Sequence, residues 1–177
     1  EKIIIENNKI LNETKIKKNL LPLYGNNLIF LNLKSIETIL EKIDFIDSYE
    51  VKKIYPNKIK IKIFEVKPIA ILQNKKEKKY YTKEGKLVNY RNYEIFKNLP
   101  LVFGDQENFK IFYKKLNNID FPINEIKTFY LFESKRWDLV TKKNQTIKLP
   151  IENYEESLKN FIILKDQENF KKYSSFD

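Results

Sequence analysis

Lysine, aspartate and glutamate provide most of the side chains in this chain that could take part in chemistry. Among 177 residues, 34 Lys and Arg stand against 24 Asp and Glu, a formal net charge of +10, and there is no His, Cys or Met. Without His and Cys the chain cannot form a zinc finger, a Ser-His-Asp triad, a thiol nucleophile or a disulfide. No other catalytic constellation can be assembled, so we expect a protein that is not an enzyme and that uses no metal or cofactor.

Three residues each allow a functional and a structural interpretation. Glu65 lacks a second carboxylate and a Gly-rich or Ser-rich cradle, so a hydrogen-bond acceptor at a domain junction is favoured over a general base. Trp137, the only tryptophan, is predicted to be buried in a sheet rather than to form a ligand platform. Arg136 could pair with an acidic residue of a partner or locally with Glu133 or Asp138, and an exposed local pair would stabilise little.

The positive charge also has two interpretations. A nucleic-acid surface would use arginine for bidentate contacts and would cluster its charge on one face. Only Arg91 and Arg136 are arginine here, and the lysines are spread along the chain with acids between them. We therefore favour an A/T-rich base composition of the gene as the explanation of the high lysine content. A basic nucleic-acid-binding module remains the alternative, and it predicts binding that weakens steeply with salt.

The first third of the sequence predicts two helices beside a small sheet. A β-branched run at 2–5 indicates the first strand. Asn12 and Asn32 are candidate N-caps of helices at 12–21 and 33–43, where apolar residues recur at helical spacing.

The clearest hairpin follows these helices, with strands at 48–55 and 58–66. Lysine and isoleucine alternate from 58 to 63, which places the isoleucines on one face of the sheet and the lysines in water. Those lysines could instead bind an anionic lipid or polymer, although a solvated face explains them. The order of elements up to this point is β-α-α-β-β.

Lys67-Pro68 marks a boundary, because Pro68 cannot donate to a central ladder and biases Lys67 to extended backbone. Beyond it we predict a mainly antiparallel β domain with flanking helices, so the whole chain is of the α+β class. The predicted strands are at 69–73, 79–82, 87–90, 124–132, 136–141, 145–149 and 173–176, with helices from Asp105 and at 152–164 and an irregular stretch at 91–104.

Residues 64–70 read Phe-Glu-Val-Lys-Pro-Ile-Ala, which is similar to the motif "x-E-x-x-P-I-A". This is the most specific of several motifs whose order resembles the extracytoplasmic part of the FtsQ/DivIB family of bacterial cell-division proteins. Others resemble "I-x-V-x-G-N", "N-I-F-x-x-D-L", "V-x-R-x-W-P-x-x-L", "L-P-x-L-x-G", "R-R-W-x-L" and the start of "Y-I-D-L-R", and they lie at 3–8, 28–33, 51–59, 99–104, 135–139 and 173–177.

The resemblance implies a POTRA domain over residues 1–67 and an FtsQ-type β domain over 68–177. It implies a non-enzymatic divisome scaffold in septum formation that recruits and restrains partners of the FtsB and FtsL type. It also implies a single-pass inner-membrane protein, enriched at the division site, with this region periplasmic. The missing Met leads us to expect that Glu1 lies inside a longer protein, with the anchor upstream. A POTRA-type chaperone or secretion component is a further alternative.

In the family, the β domain binds FtsB largely by adding the partner's strand to an exposed sheet edge. The family strand continues past the position of Asp177, so we expect the residues named here to form only the edges of the binding site. They are Lys135, Arg136, Leu158, Phe161, Leu164, Tyr173, Ser174, Ser175, Phe176 and Asp177.

Overall fold

The structure is a computed structural model that describes residues 2–25, 27–75, 77–165 and 174–176. It divides into two compact units, Glu1–Lys67 and Pro68–Asp177. Four α-helices and two sheets lie among the described residues, so the predicted α+β class is confirmed. None of the helices in these described ranges is both long and apolar enough to cross a membrane.

The first unit has the predicted order of elements. Its helices begin where the sequence indicated, because the Asn12 and Asn32 side chains accept hydrogen bonds from the backbone N–H groups of Lys15 and Lys34. The elements are β1 (Lys2–Glu6), α1 (Glu13–Asn19), a 3-10 turn (Leu21–Leu23), α2 (Leu33–Leu40), β2 (Ile46–Ile54) and β3 (Lys58–Glu65). In the sheet β3 is central, parallel to β1 and antiparallel to β2.

Alternation along β3 separates the core of the first unit from its solvent face. Ile59, Ile61 and Ile63 are fully buried. On the other face Lys60 Nζ lies 2.9 Å from a Glu6 carboxylate oxygen, and Lys62 lies opposite Glu50. Lys58 lies opposite Lys2 and Lys60 lies opposite Lys52, so the acids of the neighbouring strands offset only part of the positive charge on this solvated face.

The second unit is built on a mixed sheet flanked by helices. The order of its described strands is β11-β10-β9-β8-β7-β4-β5-β6; four of these pairings are antiparallel and three are parallel. The strands are β4 (Pro68–Gln73), β5 (Lys78–Thr82), β6 (Leu87–Asn89), β7 (Leu101–Phe103), β8 (Ile126–Leu131), β9 (Trp137–Thr141), β10 (Thr146–Lys148) and β11 (Ser175–Phe176), and the helices are α3 (Gln106–Asn118) and α4 (Tyr154–Leu164).

One prediction for this unit was wrong. The stretch 91–104 was expected to be irregular, but its end forms β7, which lies in the interior of the sheet between β4 and β8. A three-residue strand has too few positions to show an alternating pattern. The strand forms instead because it pairs with β4 and β8, which are distant in sequence. Its central residue, Val102, is fully buried there.

Aromatic side chains form most of the core of the second unit. Phe109 and Phe112 project from α3, and the Phe112 ring stacks on the Trp137 ring with centroids 4.6 Å apart. Trp137 is thus a buried sheet residue, as its sequence context indicated. This packing fixes the beginning of β9 against α3, and with it the turn that carries Lys135 and Arg136.

Candidate partner-binding edge

β11 is the last strand of the described sheet order, next to β10. The two strands are parallel, with Thr146 opposite Ser175, and the Thr146 N–H donates to the Ser174 carbonyl over 2.9 Å. Backbone groups of alternate residues in a strand point to opposite sides. The N–H and C=O of Ser175 therefore point away from β10, toward the outer side of the sheet.

The predicted edge residues are only partly within the described chain. Ser174 and Ser175 are exposed, and Phe176 is placed by its backbone opposite Ile147. Tyr173 and Asp177 lie outside the described residues. The structure therefore supplies a strand of two residues at this edge, with one residue whose hydrogen-bonding groups point outward.

The turn between β8 and β9 carries Lys135 and Arg136. The Phe132 N–H donates to the Arg136 carbonyl over 2.9 Å and closes the turn, with Lys135 in the left-handed region at φ 66°. The Arg136 guanidinium donates to both Asp138 carboxylate oxygens, over 3.0 and 3.1 Å, and lies 4.8 Å from the centroid of the Phe132 ring.

The local pairing of Arg136 has consequences for the site. Asp138 is buried, and a charge-assisted bidentate pair with a buried carboxylate is stronger than an exposed ion pair. Of the two interpretations of Arg136, the local pair with Asp138 is the one present in the structure. The pair fixes the guanidinium in front of β9, two strands away from β11.

Lys135 acts on the start of α3. Asp105 is the N-cap of α3, and its carboxylate accepts from the Asn108 N–H over 2.9 Å. Burial alone would raise the pKa of the Asp105 carboxyl, but the hydrogen bonds from Asn108 and the positive charge of Lys135 together lower it below its ordinary value. Lys135 therefore has an electrostatic role within the chain.

The α4 residues predicted for the site differ in accessibility. Leu158 and Phe161 belong to the core, and the Phe161 ring lies 5.9 Å from that of Phe121, so both hold the helix in place rather than offering a free surface. Leu164 is partly exposed, and Ile163 beside it is 68% exposed. The exposed apolar surface of α4 is thus at its C-terminal end.

The sequence did not predict two sets of exposed apolar residues, one at the end of β8 and one in α4. Tyr130 and Phe132 project from the outer face at the end of β8, and the Tyr130 ring stacks on that of Phe103 with centroids 4.9 Å apart. Alternation from the buried Phe129 would have placed Tyr130 on the solvent face. Ile163 carried no such signal, because an isoleucine inside an apolar run at a helix end is ordinarily assigned to the core.

Glu65 has a structural role in the first unit. Its carboxylate accepts hydrogen bonds from three consecutive backbone N–H groups, those of Lys9, Ile10 and Leu11, over 2.7 to 3.0 Å. The residue ends β3 and holds the loop between β1 and α1. It is a hydrogen-bond acceptor, as favoured above, with its described partners inside the first unit.

Comparison with known proteins identifies both units. The family model for the FtsQ-type POTRA domain matches residues 1–65. The model for the C-terminal region of the cell division protein FtsQ/DivIB matches residues 70–177. The chain belongs to the FtsQ/DivIB family. The resemblance inferred from the motifs is therefore confirmed, and the family is one of cell-division proteins.

Individual relatives agree with this assignment. The cell division protein FtsQ of Rickettsia bellii is 35% identical over 163 residues, and that of Rickettsia felis is 32% identical over 161 residues. Each alignment covers 90% of this chain and 60% of the relative. The protein of the same name from Methylomonas methanica is 21% identical over 165 residues, covering 89% of this chain and 65% of the relative. The chain thus spans about 60% of the length of the two Rickettsia FtsQ proteins.

Proposed function

We propose that this member of the FtsQ/DivIB family is a non-enzymatic scaffold of the division machinery. In this proposal residues 1–67 form a POTRA domain, and residues 68–177 form a β domain that recruits and restrains partners of the FtsB and FtsL type. The protein would act on the periplasmic side of the inner membrane at the division site, held by a single-pass anchor. Family membership and the order of the two units support the proposal.

The observation that carries the binding mode is the direction of the Ser175 backbone. Because Thr146 binds the Ser174 carbonyl, the Ser175 N–H and C=O point away from β10 and are available to an added strand. A partner segment that pairs there would continue the sheet beyond β11, and its side chains would then pack beside the exposed serines.

A proline substitution tests this mode directly. Ser175→Pro removes the outward N–H while leaving the Thr146–Ser174 bond possible, and Ser175→Ala keeps the N–H and serves as the matched control. We expect a soluble FtsB–FtsL ectodomain complex, measured by titration calorimetry, to bind Ser175→Pro about tenfold more weakly, the loss of roughly one backbone hydrogen bond. Ser175→Ala should bind as the unchanged chain does.

Protection of the Thr146 N–H against hydrogen exchange separates loss of binding from loss of β11. If this N–H stays protected in Ser175→Pro and binding is unchanged, strand addition at this edge is wrong. If the complete extracytoplasmic region, including the strand residues expected past Asp177, shows no affinity for the complex, the choice of partner is wrong.

The described lysine row does not favour the nucleic-acid alternative. Lys60 pairs with Glu6 and Lys62 lies opposite Glu50, so this face carries both signs of charge, with Lys2 and Lys52 opposite Lys58 and Lys60. Counterion release requires a basic surface that contacts phosphates, and it would give affinity that falls steeply with salt. A shift of labelled DNA or RNA that weakens with added salt would support the alternative over the scaffold.

A further inference from the structure

The connection between α1 and α2 has two parts, and each of them buries two apolar side chains and exposes two others. Its first part is the 3-10 turn, where Leu20 and Leu23 are buried while Leu21 and Tyr24 are exposed. Leu21 has 56% of its surface in solvent. The turn therefore packs on the core through the inward pair, while much of the outward pair lies in solvent.

The second part of the connection repeats the arrangement. Leu28 and Leu31 are buried, whereas Ile29 is 66% and Phe30 is 83% exposed. Asn27 fixes this turn: its side-chain oxygen accepts from the Ile29 N–H over 2.9 Å, and its carbonyl accepts from the N–H groups of Phe30 and Leu31 over 3.0 Å. The backbone thus holds Ile29 and Phe30 outward by defined hydrogen bonds.

Between Glu13 and Glu37 the charged side chains have one sign. Residues 14–36 contain four lysines and no Asp or Glu, in a chain that has 24 acids. Lys18 at the end of α1 and Lys34 at the start of α2 are exposed and flank the two turns. By contrast, the other lysine row of this unit, on β3, is partly offset by Glu6 and Glu50.

Exposed aromatic and aliphatic side chains flanked by lysines are the chemistry of an anionic lipid surface. The apolar groups enter the boundary between headgroups and acyl chains, while the ammonium groups remain at the headgroups and attract negative charge. A protein surface complementary to this connection would have to cover Phe30 and also supply acids at both ends. A bilayer containing an anionic lipid supplies both properties at once.

We propose that the connection between α1 and α2, with Leu21, Tyr24, Ile29 and Phe30 inserted and Lys18 and Lys34 at the headgroups, docks the first unit on an anionic membrane surface. This goes beyond the scaffold function, and its test uses vesicles without any division protein. The two proposals can therefore fail separately.

Co-sedimentation of the 177-residue chain with vesicles is the experiment. We expect binding to phosphatidylcholine vesicles that contain phosphatidylglycerol, and little binding to phosphatidylcholine alone. Ile29→Ser/Phe30→Ser should weaken the binding about tenfold or more, since burial of each such side chain contributes at least a factor of that order. The matched control Ile95→Ser/Ile111→Ser removes two other exposed apolar side chains, from the second unit, and should bind normally.

A second pair of variants tests the charge. Lys18→Glu/Lys34→Glu should lower the affinity for the anionic vesicles by about fivefold or more per lysine, because each lysine near such a surface contributes about 1 kcal/mol. Lys42→Glu/Lys52→Glu changes the net charge equally through exposed lysines of the same unit and should have a smaller effect. Circular dichroism checks that all variants fold.

Three outcomes would overturn the proposal. The first is no binding to the anionic vesicles, including the case in which only a protein binds the connection. The second is equal binding by Ile29→Ser/Phe30→Ser and the unchanged chain, which would assign the affinity to the net charge alone. The third is an equal loss in the two lysine variants, which would mean that position does not matter.

Discussion

At the residue scale, Glu65 lies in the most specific sequence motif and has a structural role. Its carboxylate bonds three successive N–H groups at the end of the β1–α1 loop, of which the last, that of Leu11, belongs to a buried residue. A side chain that cannot accept these bonds leaves partly buried donors without a partner. The position therefore matters for the folding of the first unit.

We expect Glu65→Ala to lower the free energy of unfolding of the first unit by about 2 kcal/mol, the cost of orphaned donors that had bonded a charged acceptor. Glu65→Gln should cost less, because its amide oxygen still accepts. Urea denaturation followed by far-UV circular dichroism measures the difference. Glu50→Ala, which removes an exposed acid from the same sheet, is the control. A Glu65→Ala midpoint equal to that of the control would contradict this role.

Asp105 gives a prediction about pH. Its pKa is lower in the folded chain than in the unfolded chain, so the unfolded state binds the proton more readily. Its contribution to stability is thus fully present above the ordinary pKa of about 4 and is lost as the pH falls through the lower folded value.

Asp105→Asn keeps an oxygen that can accept from the Asn108 N–H but has no charge to titrate. We expect this variant to be less stable than the unchanged chain at neutral pH, with the difference narrowing on acidification below about pH 4. Guanidinium denaturation followed by Trp137 fluorescence measures both. A constant difference from neutral to acidic pH would show that the charge has no role.

At the element scale, the sequence was most informative where a local signal decides the structure. The Asn caps of α1 and α2 and the Lys-Ile alternation of β3 are local, and they led to the correct order in the first unit. β7 could not be predicted in this way, because its three residues acquire their strand state only from pairing with β4 and β8.

The candidate site likewise combines local features that the sequence predicted with long-range features that it did not. The sequence predicted a strand at 173–176, but the place of β11 beside β10 depends on a long-range parallel pairing. The sequence left open whether Arg136 pairs locally or with an acidic residue of a partner, because residues two positions apart in a strand can pair but need not. The structure shows the local bidentate bond to Asp138. Which side of Ser175 faces outward needs the register, and register comes from the sheet as a whole.

Helix α4 gives a prediction that separates fold from binding. Leu158→Ala should lower the free energy of unfolding of the second unit by about 3 kcal/mol, because it leaves a cavity at a fully buried position. Ile163→Ser should change stability little, since most of this side chain is in solvent. If the end of α4 contacts the partner, Ile163→Ser weakens binding of the FtsB–FtsL ectodomain complex without lowering the unfolding midpoint. Equal effects of the two variants on stability would contradict the assignment of Leu158 to the core.

At the scale of the whole molecule, two units with separate cores lead us to expect separate folding. The buried isoleucines of β3 are in the first unit, and the aromatic cluster around Phe109, Phe112 and Trp137 is in the second. Trp137 is the only tryptophan, so its fluorescence reports the second unit alone, whereas far-UV circular dichroism reports both.

We expect Glu65→Ala to shift the urea transition seen by circular dichroism in part and to leave the Trp137 fluorescence transition unchanged. Leu158→Ala should shift the fluorescence transition and should leave unshifted the part of the circular dichroism transition that comes from the first unit. The fragments 1–67 and 68–177, produced separately, should each unfold cooperatively at the midpoint of the corresponding transition. Coincident shifts of both signals in either variant would mean that the chain folds as one cooperative unit, and that the boundary at Pro68 has no thermodynamic meaning.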